Sequence, residues 1–222
     1  MTNIISQEEK DKIDQVCSKY KITNYTINGD GSIDVDGDVD IRNHGLKTLP
    51  LKFGKVTGEF DCSANILSSL VGCPREVGGD FFCNSNQLTS LIGCPDKVGG
   101  DFYCGYNQLT SLEHCPTEIG GEFNCSGNKL TSLKWCPSKV GGEFDCGNNK
   151  LTSLEGCHTT IGGKFYLDNN RFTKDFDDSF ERLSEYERSI FAKYHSYYDI
   201  WTPEFNIDAM NDLIAEIKDG LL

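Results

Sequence analysis

Apolar and polar side chains alternate in short stretches that recur every 21 residues along most of the chain. In the unit that begins at Gly78, Phe81 and Cys83 are separated by Phe82 and flanked by polar residues. This period of two is typical of a strand with one buried face. The apolar residues that follow would close the interior of a coil: Leu88, Leu91 and Val98. A single coil cannot bury these side chains alone, so the pattern predicts stacked coils with strands ~4.8 Å apart.

Ten of the eleven cysteines follow the same period in two series. The first series is Cys62, Cys83, Cys104, Cys125 and Cys146, and the second is Cys73, Cys94, Cys115, Cys136 and Cys157. Zinc sites use short spacings such as C-x-x-C, which this sequence does not contain. The chain starts without the hydrophobic stretch of a signal peptide, so we expect a cytoplasmic protein with reduced thiols.

Asparagines and paired glycines recur with the same spacing. The asparagines are Asn65, Asn86, Asn107, Asn128, Asn149 and Asn170, and Gly-Gly pairs begin at Gly78, Gly99, Gly120, Gly141 and Gly162. A buried amide can satisfy backbone N–H and C=O groups where a strand ends and the chain turns. The glycine pairs are expected to supply either a positive φ or a close approach of two backbones at each corner.

The units have the form F-x-C-x-x-N-x-L-T-S-L, which resembles the leucine-rich repeat L-x-L-x-x-N-x-L with Phe and Cys at two leucine positions. The resemblance covers about residues 36–173, and the Gly-Gly-Asp-Phe and Cys-Pro features are similar to short repeats of bacterial effectors and of tailed-bacteriophage proteins. It implies an α/β repeat fold, a leucine-rich-repeat solenoid with parallel strands on a concave inner face.

The two ends of the chain lack the repeat and predict caps, because a solenoid would otherwise expose its terminal core. Residues 1–35 predict a helix, with Ser6 and Glu9 spaced as a capping box, followed by a hairpin. Residues 36–173 predict seven strand segments. Residues 174–222 predict a helical cap, in which Ser184 and Glu187 form a second capping box.

The charge of the chain restricts its partners. The formal net charge is −13, and residues 175–222 alone carry twelve acids against four bases. Such a balance argues against direct binding to nucleic acid or to an anionic membrane. No apolar run approaches the ~18 residues that a membrane span requires.

The outward strand positions predict an acidic surface with an aromatic centre. Aromatic residues among carboxylates have the composition of a protein-binding hot spot. The simpler alternative is that the charges are solvated and the rings cover backbone. The predicted partner-binding residues are Asp80, Phe82, Asp101, Tyr103, Tyr106, Glu122 and Asp145, together with Trp135 at a convex edge, where partner contact and loop packing are equal alternatives.

Metal, cofactor and catalytic sites are not predicted. Alternating aspartates at 34, 36, 38 and 40 suggest calcium, but the glycine is misplaced for an EF-hand loop. The four histidines lie in unrelated contexts, and none recurs beside a plausible nucleophile.

Three functions follow as hypotheses. The resemblance implies a non-catalytic phage accessory protein that binds, and inhibits, a host or defence protein in the host cytoplasm. An alternative is an acidic nucleic-acid mimic that occupies a DNA-binding protein through the C-terminal helices. Its candidate residues are Asp175, Asp177, Asp178, Glu181, Glu185 and Glu187. The third is a structural role with homo-oligomerisation through the aromatic C-terminal segment.

Overall fold

A computed structural model describes residues 5–195, 200 and 206–222 of the chain. The helices are α1 Gln7–Tyr20, α2 Lys174–Glu181, α3 Glu185–Tyr194 and α4 Ile207–Lys218. The strands are β1 Tyr25–Ile27, β2 Ile33–Val35, β3 Val39–Asp40, β4 Phe53–Val56, β5 Phe60–Asp61, β6 Glu76–Val77, β7 Phe81–Phe82, β8 Lys97–Val98, β9 Phe102–Tyr103, β10 Glu118–Ile119, β11 Phe123–Asn124, β12 Lys139–Val140, β13 Phe144–Asp145, β14 Thr160–Ile161 and β15 Phe165–Tyr166.

The repeats form a coil with a parallel sheet on each of two sides. Seven strands pair in the order β15-β13-β11-β9-β7-β5-β3, and positions 21 residues apart lie side by side, as Phe81 does with Phe102. These are the seven strand segments that the repeat predicts, and they confirm the predicted solenoid of parallel strands. The second sheet, of eight strands in the order β1-β2-β4-β6-β8-β10-β12-β14, was not predicted.

Columns of identical side chains fill the interior of the coil. Phenylalanines from successive turns stack with ring centroids 5.0–5.8 Å apart, at Phe60, Phe81, Phe102, Phe123, Phe144 and Phe165. The first cysteine series and the repeat leucines are buried beside them. All eleven cysteines are free thiols.

The asparagine series joins successive turns as predicted. Asn107 accepts the backbone N–H of Leu88 on its Oδ1 atom at 3.0 Å. Its Nδ2 atom donates to the carbonyls of Cys83 at 3.0 Å and Cys104 at 3.1 Å. One buried amide therefore satisfies backbone groups of two turns.

The glycine pairs permit close backbone approach and do not supply a positive φ. A Cβ atom on Gly99 would lie 2.2 Å from the carbonyl oxygen of Gly78 on the preceding turn. At Gly100, the second glycine of the same pair, the missing Cβ leaves room for the Asp80 side chain, whose Oδ1 would lie 2.0 Å from it. Of the two roles expected from the sequence, close approach is the correct one.

The N-terminal segment covers one end of the coil. Ser6 caps α1 in a reciprocal capping box with Glu9. The buried face of α1 carries Ile13, Cys17 and Tyr20. The hairpin also forms as predicted, because β1 pairs antiparallel with β2, which continues into the eight-stranded sheet.

The C-terminal helices pack on the last turn. Helix α3 contacts β14 and β15, and α4 contacts both α2 and α3. The second capping box, between Ser184 and Glu187, is present. The apolar face of α4 is buried at Met210, Leu213, Ile214 and Ile217. Among the described helices, none has the length and apolar character needed to cross a bilayer.

Candidate partner-binding face

The outward side chains of the seven-stranded sheet form a surface that we call the strand face. It consists of an acidic column, Asp38, Glu59, Asp80, Asp101, Glu122 and Glu143 followed by Lys164, and a strand column, Asp40, Asp61, Phe82, Tyr103, Asn124, Asp145 and Tyr166. The in-register pairing of β3 to β15 places the members of each column on successive turns. The structure thus brings together six predicted site residues: Asp80, Phe82, Asp101, Tyr103, Glu122 and Asp145.

An aromatic pair lies at the centre of the strand face. The rings of Phe82 and Tyr103 are half-buried, with centroids 5.1 Å apart and planes inclined by 31°. The hydroxyl of Tyr103 donates to Oε2 of Glu122 at 2.7 Å. Partial burial, followed by this hydrogen bond to a carboxylate, raises the pKa of Tyr103 well above its ordinary value. Tyr103 is therefore a neutral donor held in a fixed orientation.

The polar members of the strand column stabilise their own turns. Each accepts the backbone N–H two residues downstream: Asp40 from Arg42 at 3.2 Å, Asp61 from Ser63 at 2.8 Å, Asn124 from Ser126 at 3.1 Å and Asp145 from Gly147 at 2.8 Å. Phenylalanine and tyrosine rings cannot accept such a bond. At Phe82 and Tyr103 the turn therefore lacks the side-chain acceptor that the polar residues provide. Because the two rings do not stabilise the turn in this way, their presence points to a role at the surface.

The aspartates of the acidic column have a structural function that the sequence did not reveal. Oδ1 of Asp38, Asp80 and Asp101 accepts the backbone N–H of the next residue in the column, at 2.8, 2.7 and 2.7 Å. The glutamates of the acidic column have longer side chains than these aspartates. At Glu59, partial burial followed by the carboxylates of Asp61, Asp80 and Asp38 raises the pKa. Burial is the largest cause of this shift, and the neighbouring carboxylates add to it.

The carboxylates at the centre of the strand face accept hydrogen bonds from uncharged donors. At one end, Arg42 pairs with Asp40 and Asp61, each at 3.2 Å. By contrast, Asp80 and Asp101 are bound by backbone N–H groups, and Glu122 by the Tyr103 hydroxyl and the Asn124 amide. These donors fix the carboxylates without cancelling their charge, so the negative potential extends over the aromatic pair.

Tyr106 lies just beyond β9 with 66% of its surface exposed. Its φ of 52° is in the left-handed region, and its ring covers Gly127, where a Cβ would lie 2.9 Å from Cδ1 of Tyr106. A bulky residue with positive φ is uncommon. The position of Tyr106 adds an exposed ring to the edge of the strand face.

Trp135 is exposed but lies apart from the strand face. It occupies the turn that leads to β12 of the eight-stranded sheet, with 57% of its surface exposed and the Lys134 Nζ atom 5.1 Å from its ring centroid. Its φ is 70°, and the equivalent position is glycine with positive φ at Gly72, Gly93 and Gly156. The structure therefore does not bring Trp135 together with the other predicted site residues.

The thiols of the interior are poor nucleophiles. Burial raises the pKa of Cys83, Cys104 and Cys125 well above the ordinary value, so these thiols are protonated at neutral pH. In the part of the chain that the structure describes, no three His, Cys, Asp or Glu side chains are grouped to hold a metal ion.

Comparison with known proteins identifies a solved structure with a similar fold. No protein-family profile matches the chain, and no curated protein matches it. A solved structure described as the leucine-rich-repeat domain of a Shigella effector is 15% identical, with a TM-score of 0.45, over 82% of this chain and 84% of that chain.

Proposed function

We propose that this protein is a non-catalytic protein-binding module and that the strand face is its contact surface. The aromatic pair of Phe82 and Tyr103 carries the proposal, because it replaces turn-stabilising polar groups at the centre of the face. Half-buried aromatic rings are the side chains that contribute most to protein interfaces. The raised pKa of Cys83 and of Cys104 argues against either thiol as a covalent catalyst.

The partner is proposed to present arginine or lysine to this surface. A guanidinium group can stack on an aromatic face while it donates to a neighbouring carboxylate. The Tyr103 ring lies beside Glu122, and Asp80 and Asp101 belong to the same face. A basic segment would therefore find stacking and ionic contacts within a few ångströms of each other.

The biological setting follows from the sequence resemblance. We propose a phage accessory protein in the cytoplasm of the infected cell, whose partner is a host or defence protein that binding inhibits. Residues 1–35 and 174–222 are then caps that protect the ends of the binding array, residues 36–173. The packing of α3 on β14 and β15 supports this division.

Affinity capture from a host lysate tests the proposal. We expect the wild-type protein to retain a specific protein that the Phe82→Ala/Tyr103→Ala variant loses. Trp135→Ala is the matched control, since it removes an exposed ring outside the strand face. The thermal midpoint of each variant should be measured to show that it is folded. If the double variant retains the protein as strongly as Trp135→Ala does, the contact surface lies elsewhere.

The acidic C-terminal segment supports a second candidate, mimicry of a nucleic-acid backbone. Asp175, Asp177 and Asp178 are exposed on α2, and slight desolvation followed by Glu181 raises the pKa of Asp177. Asp175 and Asp177 lie in the first turn of α2, where the helix dipole stabilises carboxylates without any partner. The side chain of Glu185 lies outside the described residues.

Salt dependence separates these candidates. Mimicry predicts that partner affinity falls steeply as ionic strength rises, and an aromatic contact predicts a shallow slope. Self-association through the C-terminal helices, the third hypothesis, predicts a mass that rises with concentration in sedimentation equilibrium.

A further inference from the structure

Two thiols of the second cysteine series approach each other at the end of the coil. The Sγ atoms of Cys136 and Cys157, on successive turns, are 3.8 Å apart. Oγ1 of Thr159 lies 2.9 Å from the Cys136 sulfur and donates its own proton to the carbonyl of Pro137 at 2.6 Å. Cys157 is buried, and Cys136 is partly exposed. An accessible thiol is thus in contact with a buried one.

A departure from the repeat creates this environment. The residue after the second-series cysteine is proline in four units, at 74, 95, 116 and 137, and His158 in the fifth. Proline has no backbone N–H, whereas His158 has one, and this N–H contributes to a lowered pKa of Cys136. Hydrogen bonding with Cys157, followed by a smaller effect of the backbone N–H of His158, lowers the pKa of Cys136.

The equivalent thiols of other turns lack this environment. Burial raises the pKa of Cys94 to about 12 and that of Cys115 well above its ordinary value. The Cys94 thiol donates to the carbonyl oxygen of His114 at 2.8 Å. Since the thiolate is the nucleophile in thiol chemistry, Cys136 should react before Cys94 and Cys115.

We propose that Cys136 and Cys157 are a redox-active pair that a small-molecule disulfide, such as oxidised glutathione, converts to an intramolecular disulfide. The Cys136 thiolate attacks one glutathione sulfur, the glutathione S–S bond breaks, and one glutathione leaves as a thiolate. The Cys157 thiol gives its proton to that thiolate and attacks the Cys136 sulfur, which releases the second glutathione. Two protein thiols are oxidised, and one glutathione disulfide is reduced to two glutathione molecules.

The geometry of the coil allows this bond. Turns in register are ~4.8 Å apart, which lies within the Cα separations of ~4.4–6.8 Å that disulfides span. The two sulfurs are 3.8 Å apart, so oxidation requires them to approach to the ~2.05 Å of a disulfide bond. The bond would join the two final Cys-containing turns, beside the C-terminal helices.

Peptide mapping after oxidation tests the proposal. The reduced full-length protein is incubated with oxidised glutathione, alkylated without reductant and digested. We expect a Cys136–Cys157 cross-linked peptide, with nine of the eleven cysteines still alkylatable after unfolding. In the Cys157→Ser variant, Cys136 should instead accumulate as a mixed disulfide with glutathione.

Alkylation rates of the folded protein test the origin of the reactivity. With iodoacetamide at neutral pH, Cys136 should react at least ~10-fold faster than Cys94, the difference that one pKa unit produces in the thiolate population. His158→Pro restores the repeat and removes the N–H, so it should slow Cys136 severalfold. His158→Ala retains the N–H and should leave the rate unchanged. Cys157→Ala removes the thiol that lowers the pKa of Cys136 most and should also slow Cys136, even if the proline variant fails to fold.

Two results would overturn the proposal. One is a cross-link that forms equally between other neighbouring cysteines, such as Cys94 and Cys115. The other is a Cys136 alkylation rate no higher than that of Cys94 in the folded wild-type protein. Neither result bears on the strand face, so this test is independent of the proposed binding function.

Discussion

The side-chain oxygen of Asn86 accepts the backbone N–H of Leu67, one turn earlier in the coil, at 2.9 Å. The amide nitrogen of Asn86 donates to the carbonyls of Cys62 and Cys83, both at 3.1 Å. The same arrangement recurs at Asn107, Asn128 and Asn149. These bonds lie in the buried interior, so they connect the turns where water cannot compete.

Removal of one asparagine should destabilise the whole array. Asn107→Ala leaves the N–H of Leu88 and the carbonyls of Cys83 and Cys104 without their partner. Each unsatisfied buried group costs about 1–3 kcal/mol, so we expect the free energy of unfolding to fall by about 3 kcal/mol or more. Chemical denaturation measures the loss. The exposed neighbour Gln108 is the control, and an equal loss in Gln108→Ala would contradict the assignment.

A methyl group on a corner glycine should force two turns apart. The Cβ of Gly99→Ala would lie 2.2 Å from the backbone oxygen of Gly78, which cannot move alone. Overpacking of this kind costs about 1–3 kcal/mol. We expect a lower thermal midpoint by circular dichroism, whereas Thr110→Ala on the exposed surface should leave it unchanged. A Gly99→Ala protein as stable as wild type would show that the corner is not tightly packed.

The left-handed backbone at position 135 should make glycine more stable there than alanine. Trp135 has a φ of 70° at a position where three other turns carry glycine. Left-handed backbone costs a residue with a Cβ atom about 1–2 kcal/mol. Trp135→Gly should therefore be about 1 kcal/mol more stable than Trp135→Ala, which loses the same ring but keeps the strain. Urea unfolding of the two variants gives this difference directly, and equal stabilities would argue against backbone strain.

His195 should make the fold sensitive to mild acid. It is 2% exposed, stacks on Phe191 at 5.5 Å, and neither ring nitrogen has a hydrogen-bond partner among the described residues. Burial, with a smaller contribution from His158, lowers the pKa of His195 from 6.5 to about 4. Its contribution to stability is complete above pH 6.5 and decreases as pH falls toward 4, because the unfolded chain binds the proton more tightly.

The expected contribution of His195 is on the order of 2 kcal/mol between about pH 7.5 and pH 4.5. Carboxylates titrate in the same range, so the measurement is the difference between wild type and His195→Phe in the pH dependence of the unfolding free energy. The dependence should become shallower in the variant. The exposed His44 provides the control, since His44→Gln should retain the wild-type dependence. An unchanged dependence in His195→Phe would exclude His195 as the sensor.

Much of the fold was predictable because it rests on local or periodic signals. The spacing of Phe81 and Phe102 fixed which residues share a column, and the capping boxes at Ser6 and Ser184 lie within one helical turn. The eight-stranded sheet was missed because strands such as Lys97–Val98 bury a single residue and lack the alternating Phe-x-Cys pattern that marks the strands of the seven-stranded sheet. Their pairing depends on the next turn of the coil.

The sequence predicted which residues lie on the strand face, but it did not predict the hydrogen bonds that they form. Sequence spacing placed Asp80 and Asp101 in one column, yet their hydrogen bonds to backbone N–H groups of the next turn depend on distances between turns. The positive φ of Trp135 could have been inferred from the glycines of other units. The sequence contained one indication that the turn of Cys136 and Cys157 differs from the others, which is His158 at a position where the other units have proline.

Each turn offers the following turn nearly the same donors and acceptors that it received from the preceding one, as the bonds of Asn86 and Asn107 show. Excision or duplication of one complete unit would leave the facing surfaces of its neighbours complementary. Such a gene could change length in steps of 21 codons, each altering the height of the coil by ~4.8 Å. The length of the strand face is thus a quantity that recombination could adjust without redesigning the core.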